Sequence, residues 1–396
     1  MNNSFVPNNT ATAKHGIMLI LVAIMPAMAI ISIVPVLPLL LQEFSGVEGA
    51  EFLVPIAMTV PALCVALFSP LAGWISDKSG RKKLLVGALL IYAFIGFLPY
   101  FLTDLYHIIV SRVVLGIAEA VIMTLATALI GDYFHGKERE KWVATQVAAV
   151  SMSAIILIAL GGLLGELIGS RGPFLLYLLA IPIAIGCSFI LFDPIKSQEN
   201  KAEPKAKVPL KLILPLLLIT LYVGLIFYII IVKLGVILGL TGSVSPAIIG
   251  GIGAAANIGV ALGSFTFSKM KNASGPKLIA IGLSLSAIGY IGAALSSTLW
   301  LTSVSLVVAS FGAGMLLPTM LTWVLSVLPD NVRGRGTGMW TGVFFFGQFA
   351  APIVSGAAQG VLGSFEGVLL LFAILSILSA MIALIKTKDA KSITTE

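Results

Sequence analysis

The sequence predicts an all-α membrane protein with twelve transmembrane helices in two six-helix pseudo-repeats. Three observations lead to this prediction. Of the 396 residues, 58% are hydrophobic and only 10% are charged. Long apolar runs recur along the whole chain, and the loops between them alternate between many and almost no Lys and Arg residues. Soluble proteins carry about 25% charged residues because their surfaces face water, so a soluble enzyme, a nucleic-acid-binding domain and a disordered chain are excluded.

The apolar runs are long enough to cross a bilayer as helices. A helix needs about 20 apolar residues to span a hydrocarbon core of roughly 30 Å, and in lipid it satisfies its own backbone hydrogen bonds. The runs lack the alternation of membrane β-strands. The first run lacks a basic leader and a cleavage site, so we expect it to be retained. The predicted spans are 17–40, 52–75, 84–102, 106–131, 143–167, 174–192, 212–238, 246–268, 278–296, 299–328, 337–362 and 367–385.

The distribution of positive charge predicts the orientation of the chain. Seven segments on one side of the predicted membrane hold 21 Lys and Arg residues, whereas the loops on the other side hold only Arg171. Lys and Arg concentrate on the cytoplasmic side of membrane proteins, so we expect both termini in the cytoplasm. The net charge of +7 then reflects topology and contact with anionic lipid, and it requires no nucleic acid.

The longest polar stretch divides the chain into two halves. An offset of 194 residues relates these halves, since it superimposes, among others, Ser111 on Ser305. Parallel six-helix repeats are one plan of secondary transporters, with the substrate near the membrane centre. The predicted domains are a cytoplasmic tail (1–16), an N-terminal six-helix bundle (17–192), a cytoplasmic linker (193–211), a C-terminal six-helix bundle (212–385) and a second cytoplasmic tail (386–396).

The loop after the second span carries a recognisable motif. From Gly73 to Lys83 it reads Gly-Trp-Ile-Ser-Asp-Lys-Ser-Gly-Arg-Lys-Lys, which resembles the G-x-x-x-D-x-x-G-R-[RK]-[RK] signature of the major facilitator superfamily. An ordinary positive loop would not explain the spaced glycines and Asp77. We expect Gly73 to allow close helix packing and Gly80 to form the turn. The predicted gating motif comprises Gly73, Asp77, Gly80, Arg81 and Lys82.

Other segments also resemble this family. Arg112 to Gly116 is similar to its R-x-x-x-G motif, and Pro35 to Pro38 resembles the P-x-x-P element of drug/proton antiporters. Residues 157–162 depart from the G-P-x-x-G-G motif of these antiporters and keep only the final glycines. The resemblance implies the major facilitator fold and a secondary transporter, most like the twelve-span drug/proton antiporters.

Three ionisable residues fall well inside the spans: Arg112, Glu119 and Lys233. Each costs at least roughly 2.5–3.5 kcal/mol if it faces lipid, so we expect each to face the cavity or a partner. Arg112 and Glu119 share one helix face but stand about 10.5 Å apart along the axis. We predict that Glu119 exchanges the coupling proton and that Arg112 tunes its affinity or binds substrate; the alternative is a fixed ion pair between helices. Lys233 either snorkels to the interface or reaches the cavity.

The cavity implied by the resemblance lies between spans one, two, four, five, seven, eight, ten and eleven. Met and aromatic side chains there suit planar or amphipathic substrates, although in most transporters many of them only pack against neighbouring helices. The predicted substrate-binding residues are Met58, Met152, Tyr228, Lys233, Asn257, Met315, Trp323, Trp340, Phe344, Phe345 and Gln348.

No enzymatic or metal-binding pattern stands out, so we expect no cofactor, no metal and no enzymatic activity. The sequence predicts a monomeric, proton-coupled exporter of small amphipathic organic compounds in the bacterial inner membrane, with substrate, protons and lipid as partners. Two alternatives stay open. One is a proton symporter that imports an organic anion, with Arg112 and Lys233 as carboxylate partners. The other is a non-transporting membrane sensor with the same fold.

Overall fold

The computed structural model describes residues 11–193, 209–270, 273–329 and 332–392, with backbone only at 77–79, 333–334 and 385–392. Its described residues contain twelve helices long and apolar enough to cross a membrane, which confirms the predicted spans. The helices are α1 (Ala13–Glu43), α2 (Ala50–Ser76), α3 (Arg81–Tyr100), α4 (Leu105–Tyr133), α5 (Gly136–Ile168), α6 (Gly172–Ile190), α7 (Leu210–Val232), α8 (Pro246–Lys269), α9 (Gly275–Leu295), α10 (Leu299–Val327), α11 (Arg335–Leu362) and α12 (Phe365–Leu384).

Several helices differ from the predicted spans for identifiable reasons. α5 begins at Gly136, well before the apolar run, because the charged residues that follow Gly136 form helical turns outside the hydrocarbon. The predicted seventh span divides at Lys233, where α7 ends and a short helix, Leu234–Gly239, begins. The predicted linker 193–211 and the tail 1–16 lie largely outside the described residues.

The two halves repeat one another in register. α4 and α10 begin and end 194 residues apart, and both have 29 residues, which agrees with the offset seen in the sequence. A second correspondence links α3 to α9. Tyr92 of α3 donates a hydrogen bond to the Met25 carbonyl in α1, and Tyr290 of α9 donates to the Ile226 carbonyl in α7. The same bond therefore joins matching helix pairs in both halves.

The halves meet through α5 with α8 and through α2 with α11. We call the end of the bundle that carries Lys82 and Lys137 the basic face, and the other end the opposite face. Close contacts between the halves lie toward the opposite face. A Cβ atom on Gly250 of α8 would come within 2.9 Å of the Gly162 Cα atom in α5. Met152, in the middle of α5, is 61% exposed.

Candidate functional site

Glu119 occupies the middle of α4, and its side chain is only 5% exposed. Its Oε2 atom is buried and has no hydrogen-bond partner among the described residues. The carboxyl group lies within electrostatic range of Cys64 in α2 and of Tyr228 in α7, a helix of the other half. An unpartnered buried oxygen costs free energy comparable with a lost hydrogen bond, so the stability of the fold does not explain this residue.

Arg112 lies inside the N-terminal half and is 2% exposed. Its Nη1 atom donates to the Tyr177 hydroxyl at 2.8 Å, and its Nη2 atom donates to the Gly96 carbonyl at 2.9 Å. The guanidinium carbon lies 5.2 Å from the centroid of the Phe174 ring and 5.0 Å from that of the Tyr177 ring. Among the described residues no ion pair joins Arg112 to Glu119. The structure therefore does not show the fixed ion pair that was the alternative interpretation of these two residues.

The first part of α6 explains why two aromatic rings face one guanidinium group. Gly172–Leu179 forms a 3₁₀ helix, in which residues three apart in sequence lie above one another. Phe174 and Tyr177 therefore share a face, and their ring centroids lie 6.4 Å apart. Tyr177 also donates to the Ala29 carbonyl in α1 at 2.7 Å. This ring pair holds the Arg112 side chain between α1, α3 and α6.

A small cavity of about 20 Å³ adjoins Arg112 within the N-terminal half. We call it the N-half cavity; it lies between α1, α2, α4 and α6. Met58, a predicted substrate-binding residue, lines this cavity instead of facing the other half. Phe44 and Leu105 lie toward its opposite-face end. Apart from Arg112, its lining side chains are apolar.

A second, smaller cavity of about 10 Å³ lies between the two halves. We call it the inter-half cavity; Ile158 of α5 forms one wall, and α7, α8 and α10 form the others. Its polar lining side chains are Asn257 and Ser310. The Asn257 side-chain amide donates to the Gly253 carbonyl of its own helix at 2.9 Å, which leaves the side-chain oxygen without a partner among the described residues.

An aromatic group borders the inter-half cavity on the C-terminal side. Trp340 and Phe344 of α11 stack with ring planes 4° apart and centroids 5.8 Å apart. Phe344 also lies 5.1 Å from Tyr228 and 5.8 Å from Phe227, which lines the cavity. The Trp340 Nε1 atom is buried and has no hydrogen-bond partner among the described residues. The aromatic group consists of Phe227, Tyr228, Trp340, Phe344 and Phe345.

Lys233 is buried at the break between α7 and Leu234–Gly239, with 5% exposure. It lies within electrostatic range of Glu51 at the start of α2. Nearby, a Cβ atom on Gly235 would come within 2.6 Å of the Pro38 side chain. Of the two alternatives for Lys233, snorkelling to the interface does not match this burial, and the residue faces the N-terminal half.

The remaining predicted substrate-binding residues are not gathered at one site. Met315 is 1% exposed and lies where α10 packs on α8 near Gly263. Trp323 packs beside Gly275 at the start of α9. Gln348 is 5% exposed in α11, whereas Met152 is 61% exposed in α5. Their residue types gave no information about which side of a helix they occupy.

The gating motif joins three helices at the basic face. Gly80 has a φ of 88°, a conformation that favours glycine, and this confirms its expected role in the turn. Arg81 forms an ion pair with Asp132 at the end of α4. The Lys82 backbone N–H donates to the Asp193 carboxylate at 2.8 Å. Asp193 thus satisfies one of the free N–H groups at the start of α3.

A Cβ atom on Gly73 would meet the Thr124 side chain at 3.8 Å, an ordinary contact. The close helix approach expected at Gly73 is therefore wrong in this arrangement. The Asp77 side chain lies outside the described residues.

Sequence reasoning missed the residues that hold Arg112 and the loop. Tyr177 and Phe174 carry no charge and resemble many other aromatic residues in apolar runs, so nothing in the pattern singles them out. In the sequence, Asp193 belongs to the predicted linker. Its contact with Lys82 joins residues that lie 111 positions apart, so no local pattern predicts it. Only the folded chain places these residues together.

The model of the Major Facilitator Superfamily matches residues 19–273 and 216–395. The two matches cover almost the whole sequence, and the chain belongs to this superfamily. Members of this superfamily are membrane transporters.

Named relatives include resistance proteins. The chain is 28% identical over 225 residues to the tetracycline resistance protein, class H, of Pasteurella multocida, a match that covers 56% of each chain. The chain thus spans about half the length of the tetracycline resistance relatives of classes H and D that it matches. It is 25% identical over 337 residues to the quinolone resistance protein NorA of Staphylococcus aureus, covering 82% of this chain and 84% of NorA.

Solved structures share the fold. A bacterial homologue of the human lysosomal transporter Spinster, in an inward-facing and occupied conformation, superimposes with a TM-score of 0.77 at 16% identity. The superposition covers 94% of this chain and 97% of the other. The twelve-helix architecture of the major facilitator fold is therefore confirmed.

Proposed function

We propose that this protein exports small amphipathic organic compounds in exchange for protons. It acts in the bacterial inner membrane as a monomer, with both termini in the cytoplasm. The observation that carries the proposal is the Glu119 carboxyl group: it is 5% exposed, it has an unpartnered Oε2 atom, and it lies within electrostatic range of Tyr228 in the other half.

A carboxyl group in this position suits proton exchange for a physical reason. Burial disfavours the charged form of a carboxyl group, whereas water and nearby cations favour it. When the halves rock, water reaches the group from one side and then the other, so the group binds a proton on one side and loses it on the other. Arg112 modulates this equilibrium from its position in the interior of the N-terminal half.

The inter-half cavity supports an amphipathic substrate. Its walls are apolar except for Asn257 and Ser310, so a substrate that enters when the halves move apart meets apolar surface with two polar anchors. The aromatic group beside it provides flat faces for planar rings. The relatives' names mention tetracycline and quinolone resistance and multidrug resistance, which supports export of organic compounds.

Alternating access then follows from the contacts between the halves. Gly162 and Gly250 allow α5 and α8 to close toward the opposite face. The gating motif, with its Arg81 to Asp132 ion pair, braces the basic face of the N-terminal half. A substrate enters from the basic face and leaves at the opposite face. Glu119 then takes a proton from the opposite face and releases it at the basic face, so the carrier returns protonated and without substrate.

The test compares Glu119→Gln with Glu140→Gln in everted membrane vesicles. The glutamine side chain in Glu119→Gln has nearly the same shape but no exchangeable proton, whereas Glu140 is an exposed residue of α5 outside the apolar run. With an imposed pH gradient, wild type and Glu140→Gln should accumulate a fluorescent cationic dye. Glu119→Gln should fall to the level of vesicles without the protein while keeping its unfolding temperature.

Three results would contradict the proposal. Retained pH-driven dye transport in Glu119→Gln would remove the coupling role. Uptake of a labelled organic anion by intact cells, without dye export, would indicate the importing symporter. Purified wild-type protein that moves neither dye nor anion in liposomes would indicate the non-transporting sensor.

A further inference from the structure

Titratable groups from five helices lie within electrostatic range of the Glu119 carboxyl group. α1 and α5, which also pack against α4, carry their charged residues only near their ends. Hydrogen-bond donors near a buried carboxyl group determine how stable its charged form is. The groups in range are Cys64 of α2, Tyr92 of α3, Arg112 of α4, Tyr177 of α6 and Tyr228 of α7.

The two tyrosines of the N-terminal half already use their hydroxyl groups. The Tyr92 hydroxyl donates to the Met25 carbonyl, and the Tyr177 hydroxyl donates to the Ala29 carbonyl. These bonds join α3 and α6 to α1, so they contribute to the packing of that half. Neither hydroxyl is free to donate to the carboxyl group.

The other two groups of this half act less directly on Glu119. No ion pair joins Arg112 to Glu119 among the described residues, so the guanidinium group attracts the carboxylate at longer range. Cys64 carries a thiol, which is a weak hydrogen-bond donor. From this set of groups, the N-terminal half therefore supplies electrostatic attraction but no strong donor.

Tyr228 differs from the other four groups because it belongs to the C-terminal half and its hydroxyl group is unused. The residue is 8% exposed, and its hydroxyl makes no hydrogen bond with a described residue. Its ring is held between Phe227 and Phe344, whose centroids lie 5.0 and 5.1 Å away. Buried polar groups are nearly always paired, so we expect this hydroxyl to have a partner in one state of the transport cycle.

We propose that Tyr228 is a positioning residue that lowers the proton affinity of Glu119 by donating a hydrogen bond to its carboxylate. A hydrogen bond to the charged form of a carboxyl group favours that form, and bonds to charged groups are stronger than bonds between neutral ones. The bond forms when Glu119 loses its proton while the halves are closed toward the opposite face, as in this structure. The proposal rests on the proton exchange of the proposed function.

A donor on the other half gives the exchange its direction. With the opposite face closed, the bond favours release of the proton to the basic face. When the halves separate toward the opposite face, Tyr228 moves away with its half, and the carboxylate loses its donor. A buried charge without a partner is unfavourable, so Glu119 then takes a proton from the opposite face. The tyrosine keeps its own proton in both steps.

The test follows the infrared absorption of the protonated Glu119 carboxyl group in the purified protein as the pH changes. Glu119→Gln identifies the band, because the band is absent from that variant. Tyr228→Phe keeps the aromatic ring and removes the donor. The pH at which half of the band has disappeared should rise by about 1 unit in this variant, a tenfold change in proton affinity.

Tyr222→Phe is the matched control, because Tyr222 lies in the same helix and its hydroxyl bonds to Ser376 within the C-terminal half. This control should lower the unfolding temperature and leave the pH midpoint unchanged. Tyr228→Phe should shift the midpoint and keep the unfolding temperature.

Two kinds of result would overturn the proposal, and they are distinguishable. An unchanged or lower midpoint in Tyr228→Phe, or equal shifts in both tyrosine variants, would remove the role of Tyr228 and leave the proposed function in place. A wild-type protein in which no titrating band depends on Glu119 would overturn the proposed function and this proposal together.

Discussion

At the residue scale, four buried side-chain polar atoms among the described residues have no hydrogen-bond partner, and two of them belong to Glu119 and to the aromatic group of the proposed function. One is Glu119 Oε2, and the other is Trp340 Nε1. Native proteins pair nearly all such atoms, so we expect each of these two to contact a transported species. Glu119 offers an acceptor or a proton, and Trp340 offers a donor next to a flat stacked ring.

The Trp340 side chain should determine affinity for planar substrates. Trp340→Phe keeps an aromatic ring beside Phe344 but removes the N–H donor and part of the stacking surface. Ring pairs and hydrogen bonds of this kind contribute on the order of 1 kcal/mol each. The concentration for half-maximal dye export should therefore rise about 3–10-fold, with the maximal rate nearly unchanged.

The matched control is Trp300→Phe, because Trp300 is 78% exposed at the start of α10. It should leave both parameters unchanged. Equal transport by Trp340→Phe and wild type across several planar dyes would show that the aromatic group only packs the helices.

The sequence predicted some residues of the centre well and others poorly. Arg112, Glu119 and Lys233 stood out because charge is rare in apolar runs, and all three are buried. Met315 and Trp323 were chosen by residue type alone, and the structure places them inside the C-terminal half. When all sides of a helix are apolar, as in these spans, residue type does not indicate which side faces a cavity and which side packs against other helices.

At the element scale, the α5 to α8 contact controls closure toward the opposite face. Gly250 and Gly251 are neighbours in α8 with different surroundings. A Cβ atom on Gly250 would lie 2.7 Å from the Ile158 carbonyl oxygen, whereas one on Gly251 would meet nothing within 4 Å. Backbone atoms cannot move aside as a flexible side chain does, so Gly250→Ala should push the two helices apart.

Spin labels attached at Ser45 and Ser243, exposed residues of two opposite-face loops, would report this change as a distance distribution. Gly250→Ala should shift the population to longer distances and reduce transport several-fold, and Gly251→Ala should match the wild type. An unchanged distribution in Gly250→Ala would contradict the role of this contact.

Helix ends were less predictable than helix positions. Hydropathy marks the part of a helix inside lipid, so it missed the polar turns of α5 that begin at Gly136. It also gave no sign of the break at Lys233, since apolar residues continue on both sides. The break depends on the packing of Leu234–Gly239 against the end of α1, a contact between distant parts of the chain.

At the scale of the whole molecule, the two halves share one architecture but carry different chemistry. The N-terminal half holds Arg112 and Glu119, and the matching positions of the C-terminal half are Leu306 and Ala313. The C-terminal half instead contributes all five residues of the aromatic group and the polar lining of the inter-half cavity. In the proposed function, ion exchange and substrate contact therefore lie on opposite sides of the boundary, and we expect the rocking of the halves to couple them.

The alternation of loop charge made this architecture predictable from the sequence. Each crossing takes the chain to the other side of the membrane, so the alternation of basic and nearly uncharged loops indicates where each crossing occurs. All twelve predicted spans have a helix in the structure. The cavities were not predictable, because they depend on how bent helices pack across hundreds of residues.

The most direct test of the central claim counts protons at substrate binding. Purified protein in a weakly buffered solution with a pH-sensitive dye is mixed with a neutral substrate. We predict that the wild type and Glu140→Gln release protons on binding, because substrate in the inter-half cavity favours the deprotonated state of Glu119. Glu119→Gln should bind the substrate and release none. Equal proton release by Glu119→Gln and wild type would contradict the account.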